Sequence, residues 1–259
     1  MNTVKIDKSQ VAQRFAKAGA SYTQHAVVQK KICQHLLQLM QQYLGDTQLN
    51  RVFEIGCGSG NLSHLMLQSL PLQQLILNDL YPEVQQHFSH QEKIVWHVGD
   101  AEKIEFPTNL DLVASSSVLQ WLADLDVIFK KCDVALDDGS YFCFSTFGQH
   151  NLKQIKTLTG QGLNYLSMQA IQEKLITHGF EVLYLSETME TLYFEHPKLV
   201  LQHLKATGVT ATAAKHRWTK QSLQQFYLDY QQFLETNSSA QQCYPLSYHP
   251  IYCIARRKP

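Results

Sequence analysis

Three glycines at alternate positions, framed by acids, are where this chain first shows the means to do chemistry. The run Val52-Phe53-Glu54-Ile55-Gly56-Cys57-Gly58-Ser59-Gly60 passes from an apolar strand straight into a glycine loop. Glycines let the backbone bend sharply and lie against a ligand with no Cβ in the way. A dinucleotide loop is spaced Gly-x-Gly-x-x-Gly, whereas here the third glycine comes one residue early and Asn61 follows it. Glu54 stands two residues before the first glycine. Its carboxylate would repel a pyrophosphate and suit a cationic ligand with an amino group. Asp79 closely follows a second apolar strand, Leu75–Leu77, where a carboxylate can accept both hydroxyls of a ribose. Asp100, in Val98-Gly99-Asp100-Ala101-Glu102, follows a third strand. It can accept an adenine amino group, with the Ala101 backbone N–H meeting the ring.

A ligand that joins an ammonium, a sulfonium and an adenine nucleoside without phosphate is S-adenosylmethionine. Holding it requires three strands that end side by side. The spacing predicts strands at Arg51–Ile55, Leu75–Leu77, Ile94–Val98, Leu110–Ser115, Ser140–Thr146 and Phe180–Tyr184. Helices are expected at Gln24–Leu44, Asn61–Leu70, Tyr81–Phe88, Leu125–Ala135 and Ser167–His178. Short apolar strands that alternate with helices argue for a parallel sheet covered on both faces. Residues 188–244 read as mostly helical, with helices at Pro197–Leu204 and Lys220–Leu234, the latter capped by Thr219. The extended run Pro245–Ala255 reads as a final strand that returns to the sheet.

The glycine loop and its three acids resemble the class I S-adenosylmethionine-dependent methyltransferases over about residues 50–147. After the fourth strand, Ser115-Ser116-Ser117-Val118-Leu119-Gln120-Trp121 and then Asp124 are similar to the malonyl-acyl carrier protein O-methyltransferases of biotin synthesis and to relatives of the trans-aconitate type. The opening Val11–Tyr22, with Arg14-Phe15 and then Tyr22, resembles the biotin-pathway family more closely, as do Leu204–Val209 and Tyr244–Pro250. Two departures are Asn78, where an apolar residue is expected, and the Gln-rich stretch around 237–242. The resemblance implies a Rossmann-like, mainly parallel seven-stranded sheet with helices on both faces. It also implies a helical N-terminal lid (1–45), a core (46–187), a helical insertion (188–244) and a last core strand (245–259). The implied reaction moves a methyl group to the free carboxylate of malonyl-acyl carrier protein and leaves S-adenosylhomocysteine. The resulting methyl ester would start pimeloyl synthesis for biotin. The alternative is a small carboxylic acid as acceptor, without a carrier protein.

The expected cofactor set is Glu54, Gly56, Cys57, Gly58, Gly60, Asp79, Leu80, Asp100, Ala101, Glu102, Ser115 and Ser116. An acceptor carboxylate is already ionised at neutral pH, so no general base is required and no catalytic residue is assigned. Tyr22, Gln120 and Trp121 are positioning candidates; helix packing is the other reading of Tyr22, and core filling that of Trp121. Arg217, Lys205, Tyr244, Tyr248 and His249 are candidates for gripping the substrate. A guanidinium such as that of Arg217 can hold a carboxylate with two parallel bonds, although a solvated surface charge is the other reading.

Composition limits the remaining choices. Lys+Arg and Asp+Glu are 22 each in 259 residues, so no global field draws the chain to nucleic acid or an anionic membrane. Within Lys198–Lys220, however, Lys198, Lys205, Lys215, Arg217 and Lys220 have no acid among them, which suits an acidic carrier protein. The six cysteines are scattered, without metal spacing. No apolar run nears the roughly 20 residues of a membrane span. The expectation is a cytoplasmic monomer without a metal.

Overall fold

The computed structural model describes residues 26–208, 218–236 and 241–259. In chain order the helices are α1 (Val27–Leu44), α2 (Asn61–Ser69), α3 (Leu125–Ala135), α4 (Lys153–Thr159), α5 (Met168–Thr177), α6 (Pro197–Ala206) and α7 (Lys220–Asp229). The strands are β1 (Leu49–Ile55), β2 (Leu72–Asn78), β3 (Ile94–Trp96), β4 (Leu110–Ser116), β5 (Leu136–Phe147), β6 (Phe180–Glu187), β7 (Glu190–Phe194), β8 (Glu235–Thr236), β9 (Gln242–Tyr248) and β10 (Pro250–Arg257). Two compact units result. The core unit takes Val27–Gly148, Leu166–Glu187 and Pro250–Pro259, and the second takes Ala26, Gln149–Tyr165 and the described residues of Thr188–His249.

The core unit is built on a seven-stranded sheet in the order β3-β2-β1-β4-β5-β10-β6. Neighbours are parallel except β10, which runs antiparallel to both β5 and β6. Strands covered on both faces bury consecutive side chains, so Val52, Phe53, Glu54 and Ile55 are all inside. One stripe of α1 (Val28, Ile32, Leu36 and Met40) is buried, and the helix packs on β4, β5 and β10. Phe129 of α3 meets the ring of Phe142 at 5.7 Å, and Phe142 meets Phe180 at 5.8 Å. Each such ring contributes about 1.5–3 kcal/mol by leaving water. Strand order reverses between β1 and β4. Their connections leave in opposite directions, which opens a crevice at their carboxyl ends.

The second unit differs from the sequence expectation. Residues 188–244 hold the expected helices α6 and α7 but also strands that were not expected: β7, β9 and β8 form a three-stranded sheet in that order. The run Glu190–Phe194 is rich in β-branched and aromatic residues and pairs with Tyr244–Tyr248. The extended run Pro245–Ala255 is two strands in two sheets, divided at His249, whose N–H donates to Asn151 Oδ1 instead of a ladder partner. Helix α4 was not foreseen, and its residues belong to the second unit. The expected boundaries shift accordingly. Val27–Leu44 belongs to the core rather than to a lid, and the last core strand begins at Pro250. The rest of the expected lid lies outside the described residues.

Smaller differences have local causes. The helix expected at Tyr81–Phe88 is a 3-10 helix over Pro82–His87, a short element begun by proline. The predicted helix from Lys220 tightens to 3-10 geometry at Tyr230–Phe233. Strand β5 starts four residues early because Leu136 pairs with Leu110 before the register shifts. The caps match expectation: Ser167 accepts the Ala170 N–H, and Thr219 forms a reciprocal capping box with Ser222.

Candidate functional site

The loop after β1 is built around backbone that few side chains tolerate. Gly56 has φ +71°, and a Cβ there would lie 2.5 Å from Val118 Cγ2. The Cys57 N–H donates to the Asn78 carbonyl at 2.9 Å, which ties the loop to the end of β2. The Gly58 N–H donates to Asp79 Oδ2 at 2.9 Å, and the Leu80 N–H donates to Asp79 Oδ1 at 2.7 Å. At Gly58, by contrast, a Cβ would meet nothing within 4 Å, so the loop presents open space on that side. Gly60 caps α2 without a side-chain bond. Asp79 therefore shapes the loop.

Two carboxylates are buried here without a cation. Glu54 is 1% exposed, and Ser63 Oγ donates to its Oε2 at 2.6 Å. Burial pushes its carboxyl up to about 8, opposed by Ser63 and reinforced by the charge of Asp79. Burial also raises Asp79, against backbone N–H groups of Gly58, Leu80 and Tyr81. Neither acid has an ion-pair partner among the described residues. Two further buried hydroxyls, Ser59 Oγ and Ser117 Oγ, have no hydrogen-bond partner among the described residues. Buried carboxyl groups that lack a cation, with orphaned hydroxyls beside open loop space, fit a polar, positively charged ligand that would favour their ionised form.

Asn78 was read only as a departure from the expected pattern, yet it organises the third strand's end. Its Nδ2 donates to the carbonyls of His97 at 2.8 Å and Gly99 at 2.9 Å, which stops β3 at Trp96 and sets the turn carrying Asp100. A polar side chain at the buried end of a strand was the available signal. Asp100 Oδ1 accepts the Glu102 N–H at 3.1 Å. Ala101 is buried, and its carbonyl accepts Lys131 Nζ at 3.0 Å. Glu102, expected at the cofactor, accepts the backbone N–H groups of Ala123 and Asp124 at 2.9–3.2 Å and so holds the segment after Trp121.

The end of β4 is also committed internally. Ser115 Oγ donates to the Ile55 carbonyl at 3.0 Å, and Ser116 Oγ lies 2.9 Å from Ser145 Oγ and 3.3 Å from Cys33 Sγ. Their hydroxyls lock β4 to its neighbours. Ser117 then adopts φ +58°, rare for a residue with a side chain. Gln120 Nε2 donates to the Ser117 carbonyl at 2.6 Å, and its Oε1 accepts Thr146 Oγ1 at 3.3 Å. Gln120 and the half-buried Trp121 belong to a 3-10 helix whose preceding residue is Val118, the side chain facing Gly56.

Of the substrate candidates, Tyr22 and Arg217 lie outside the described residues. Lys205 is exposed on α6. Tyr248 and His249 are buried in the second unit: the Tyr248 hydroxyl is 2.8 Å from His203 Nε2, and His249 Nδ1 accepts the His150 N–H at 3.1 Å. Half-buried Tyr244 has its ring 6.0 Å from that of Tyr230. Three of the five candidates thus help to hold the second unit's sheet. Among the described residues, no group of three or more His, Cys, Asp or Glu is placed to hold a metal ion, and no helix is long and apolar enough to cross a membrane.

Comparison with known proteins agrees with this geometry. Residues 53–144 match the family described as a methyltransferase domain. A malonyl-[acyl-carrier protein] O-methyltransferase of Acinetobacter baylyi is 48% identical over 256 residues, covering 98% of each chain. One from Bacteroides thetaiotaomicron is 38% identical, over 98% of this chain and 99% of that one. Among solved structures, BH2331 of Bacillus halodurans has a TM-score of 0.64 at 14% identity, over 86% of this chain and 99% of that one. The N-methyltransferase NodS of Bradyrhizobium japonicum, in complex with S-adenosyl-L-homocysteine, has a TM-score of 0.53 at 12% identity, over 87% of each chain. These two share the fold. At 48% identity from end to end, this chain belongs to the malonyl-[acyl-carrier protein] O-methyltransferase family.

Proposed function

We propose that the chain methylates the free carboxylate of malonyl-acyl carrier protein with S-adenosylmethionine as donor, in the cytoplasm. The full-length 48% identity to the Acinetobacter baylyi enzyme carries this reading. The bound donor supplies a methyl group on a positively charged sulfur. Asp79 would orient the ribose hydroxyls, Asp100 and Ala101 the adenine, and Glu54 would face the charged end. Gln120 and Trp121 would border the reacting methyl, and Arg217 would grip the acceptor carboxylate, with Tyr22 closing over the donor. The acceptor's pKa lies near 4, so at neutral pH the chain need move no proton. Alignment then dominates, and well-oriented reactants gain about 7–11 kcal/mol from it. The product ester hides a charge, which suits the first step of pimeloyl synthesis for biotin.

The test is transfer of labelled methyl to three acceptors. Malonyl-carrier protein should react far faster than malonyl-coenzyme A or free malonate. Equal rates on free small acids would point to a small-molecule enzyme, and donor binding without any transfer would point to a non-catalytic binder.

A further inference from the structure

The neutral total hides a separation of charge. The core unit carries 17 Asp/Glu against 11 Lys/Arg, a net of −6. The rest of the sequence carries 5 Asp/Glu against 11 Lys/Arg, a net of +6. Several cations of the core are paired: Lys174 with Asp126 at 2.5 Å, Arg256 with Glu181 at 2.6 Å and Arg257 with Asp133 at 3.0 Å. In the second unit Lys153, Lys156, Lys198, Lys205 and Lys220 have no ion-pair partner among the described residues.

Three of these lysines belong to one stretch. From Pro197 to Leu228 the sequence has five Lys/Arg and no acid. Helix α6 buries Pro197, Val200, His203 and Leu204. Its opposite face exposes Lys198, Leu199, Gln202 and Lys205. Lys198 and Lys205 are seven residues apart, which is two turns and about 10 Å along one stripe. Helix α7 packs against α6 and begins at exposed Lys220, two residues after exposed Trp218. Lysines that stay unpaired beside exposed apolar groups suit an acidic protein surface better than plain solvent.

We propose that the outward stripe of α6 and the start of α7 form the docking surface for the acidic carrier protein that bears the malonyl thioester. This rests on the function proposed above. The other exposed lysines provide a control. Gln154 of α4 bonds Ser247 of β9, while His203 of α6 bonds Tyr248, the next residue. Adjacent strand residues point to opposite faces, so α4 with Lys153 and Lys156 lies across the small sheet from α6.

The experiment compares Lys198→Glu/Lys220→Glu with Lys153→Glu/Lys156→Glu in the full chain, on malonyl-carrier protein and on malonyl-pantetheine. Fluorescence anisotropy of labelled carrier reads binding without turnover. The α6/α7 reversal should weaken carrier binding and raise KM for carrier-borne malonate roughly tenfold, with malonyl-pantetheine turnover unchanged. The α4 reversal should leave both substrates as in the parent. Parental KM on the carrier after the α6/α7 reversal would overturn the proposal. So would equal damage from the two reversals, or equal loss on malonyl-pantetheine. If the parent binds the carrier through these lysines but methylates neither substrate, the functional reading fails and the docking surface stands; no binding at all sinks both. Should the double reversal fail to reach the parent's circular dichroism and melting, single Lys198→Gln and Lys220→Gln changes replace it, each expected to raise the carrier KM about two- to threefold.

Discussion

Asp79 holds the glycine loop, and its isostere tests the ribose-binding role proposed for it. Asp79→Asn keeps the shape but replaces one acceptor oxygen by a donor facing the Gly58 or Leu80 N–H. Donor affinity measured by titration calorimetry should fall at least about tenfold, since charged hydrogen bonds contribute about 1.5–3 kcal/mol. Glu54 gives a pH signature. Its carboxyl titrates near 8 in the fold against 4.5 ordinarily, so between those values the folded state holds a proton that the unfolded chain has lost. Stability of the ligand-free protein should therefore decline as pH rises from about 5 to about 8, then level off. Glu54→Gln should flatten that slope in thermal melts and raise the melting temperature at the alkaline end. Affinity for the cationic donor should rise over the same window in the parent and not in the variant. At this scale the acids were legible, because an acid within or shortly after a short apolar run stands out in any single sequence. The tasks of Asn78 and Glu102 were not. Asn78 holds the carbonyls of His97 and Gly99, and Glu102 the N–H groups of Ala123 and Asp124. Both sets of partners lie beyond the next element of the chain, and side-chain-to-backbone bonds leave no spacing pattern.

Among the elements, the β1–α2 turn and the β2 end are the most sensitive. Gly56→Ala carries a left-handed backbone penalty of about 1–2 kcal/mol and an overlap with Val118 of about 1–3 kcal/mol. Adding Val118→Ala should recover the overlap and not the backbone penalty, read from denaturant midpoints as a double-mutant cycle. Asn78→Ala should cost about 1–3 kcal/mol by leaving the His97 and Gly99 carbonyls unpaired, and donor affinity should fall with it as the Asp100 turn loosens. The alternation of strand and helix through Phe180 was readable because buried parallel strands are continuous apolar runs. Glu190–Phe194 escaped notice because its partner, Tyr244–Tyr248, comes only after α6 and α7 have intervened, and pairing that distant is invisible to local periodicity. Pro245–Ala255 read as one strand because nothing in its composition marks the change of sheet at His249.

At the scale of the molecule, the acidic core and the basic remainder would be lost in any measure of net charge alone. The strand order has a different consequence. β10 lies between β5 and β6, yet the whole stretch 188–249 is made after β6 and before β10. At 5–20 residues per second, a ribosome leaves those two flanking strands with open edges for roughly 3–12 s. Unpaired edges invite pairing with other chains. Deleting residues 250–259 should thus send the protein to the insoluble fraction on expression, and supplying that decapeptide in trans during refolding should return part of it to solution. Newly made chains are the population on which chaperones would act, because the strand that joins the two halves of this sheet is made only after both of its neighbours.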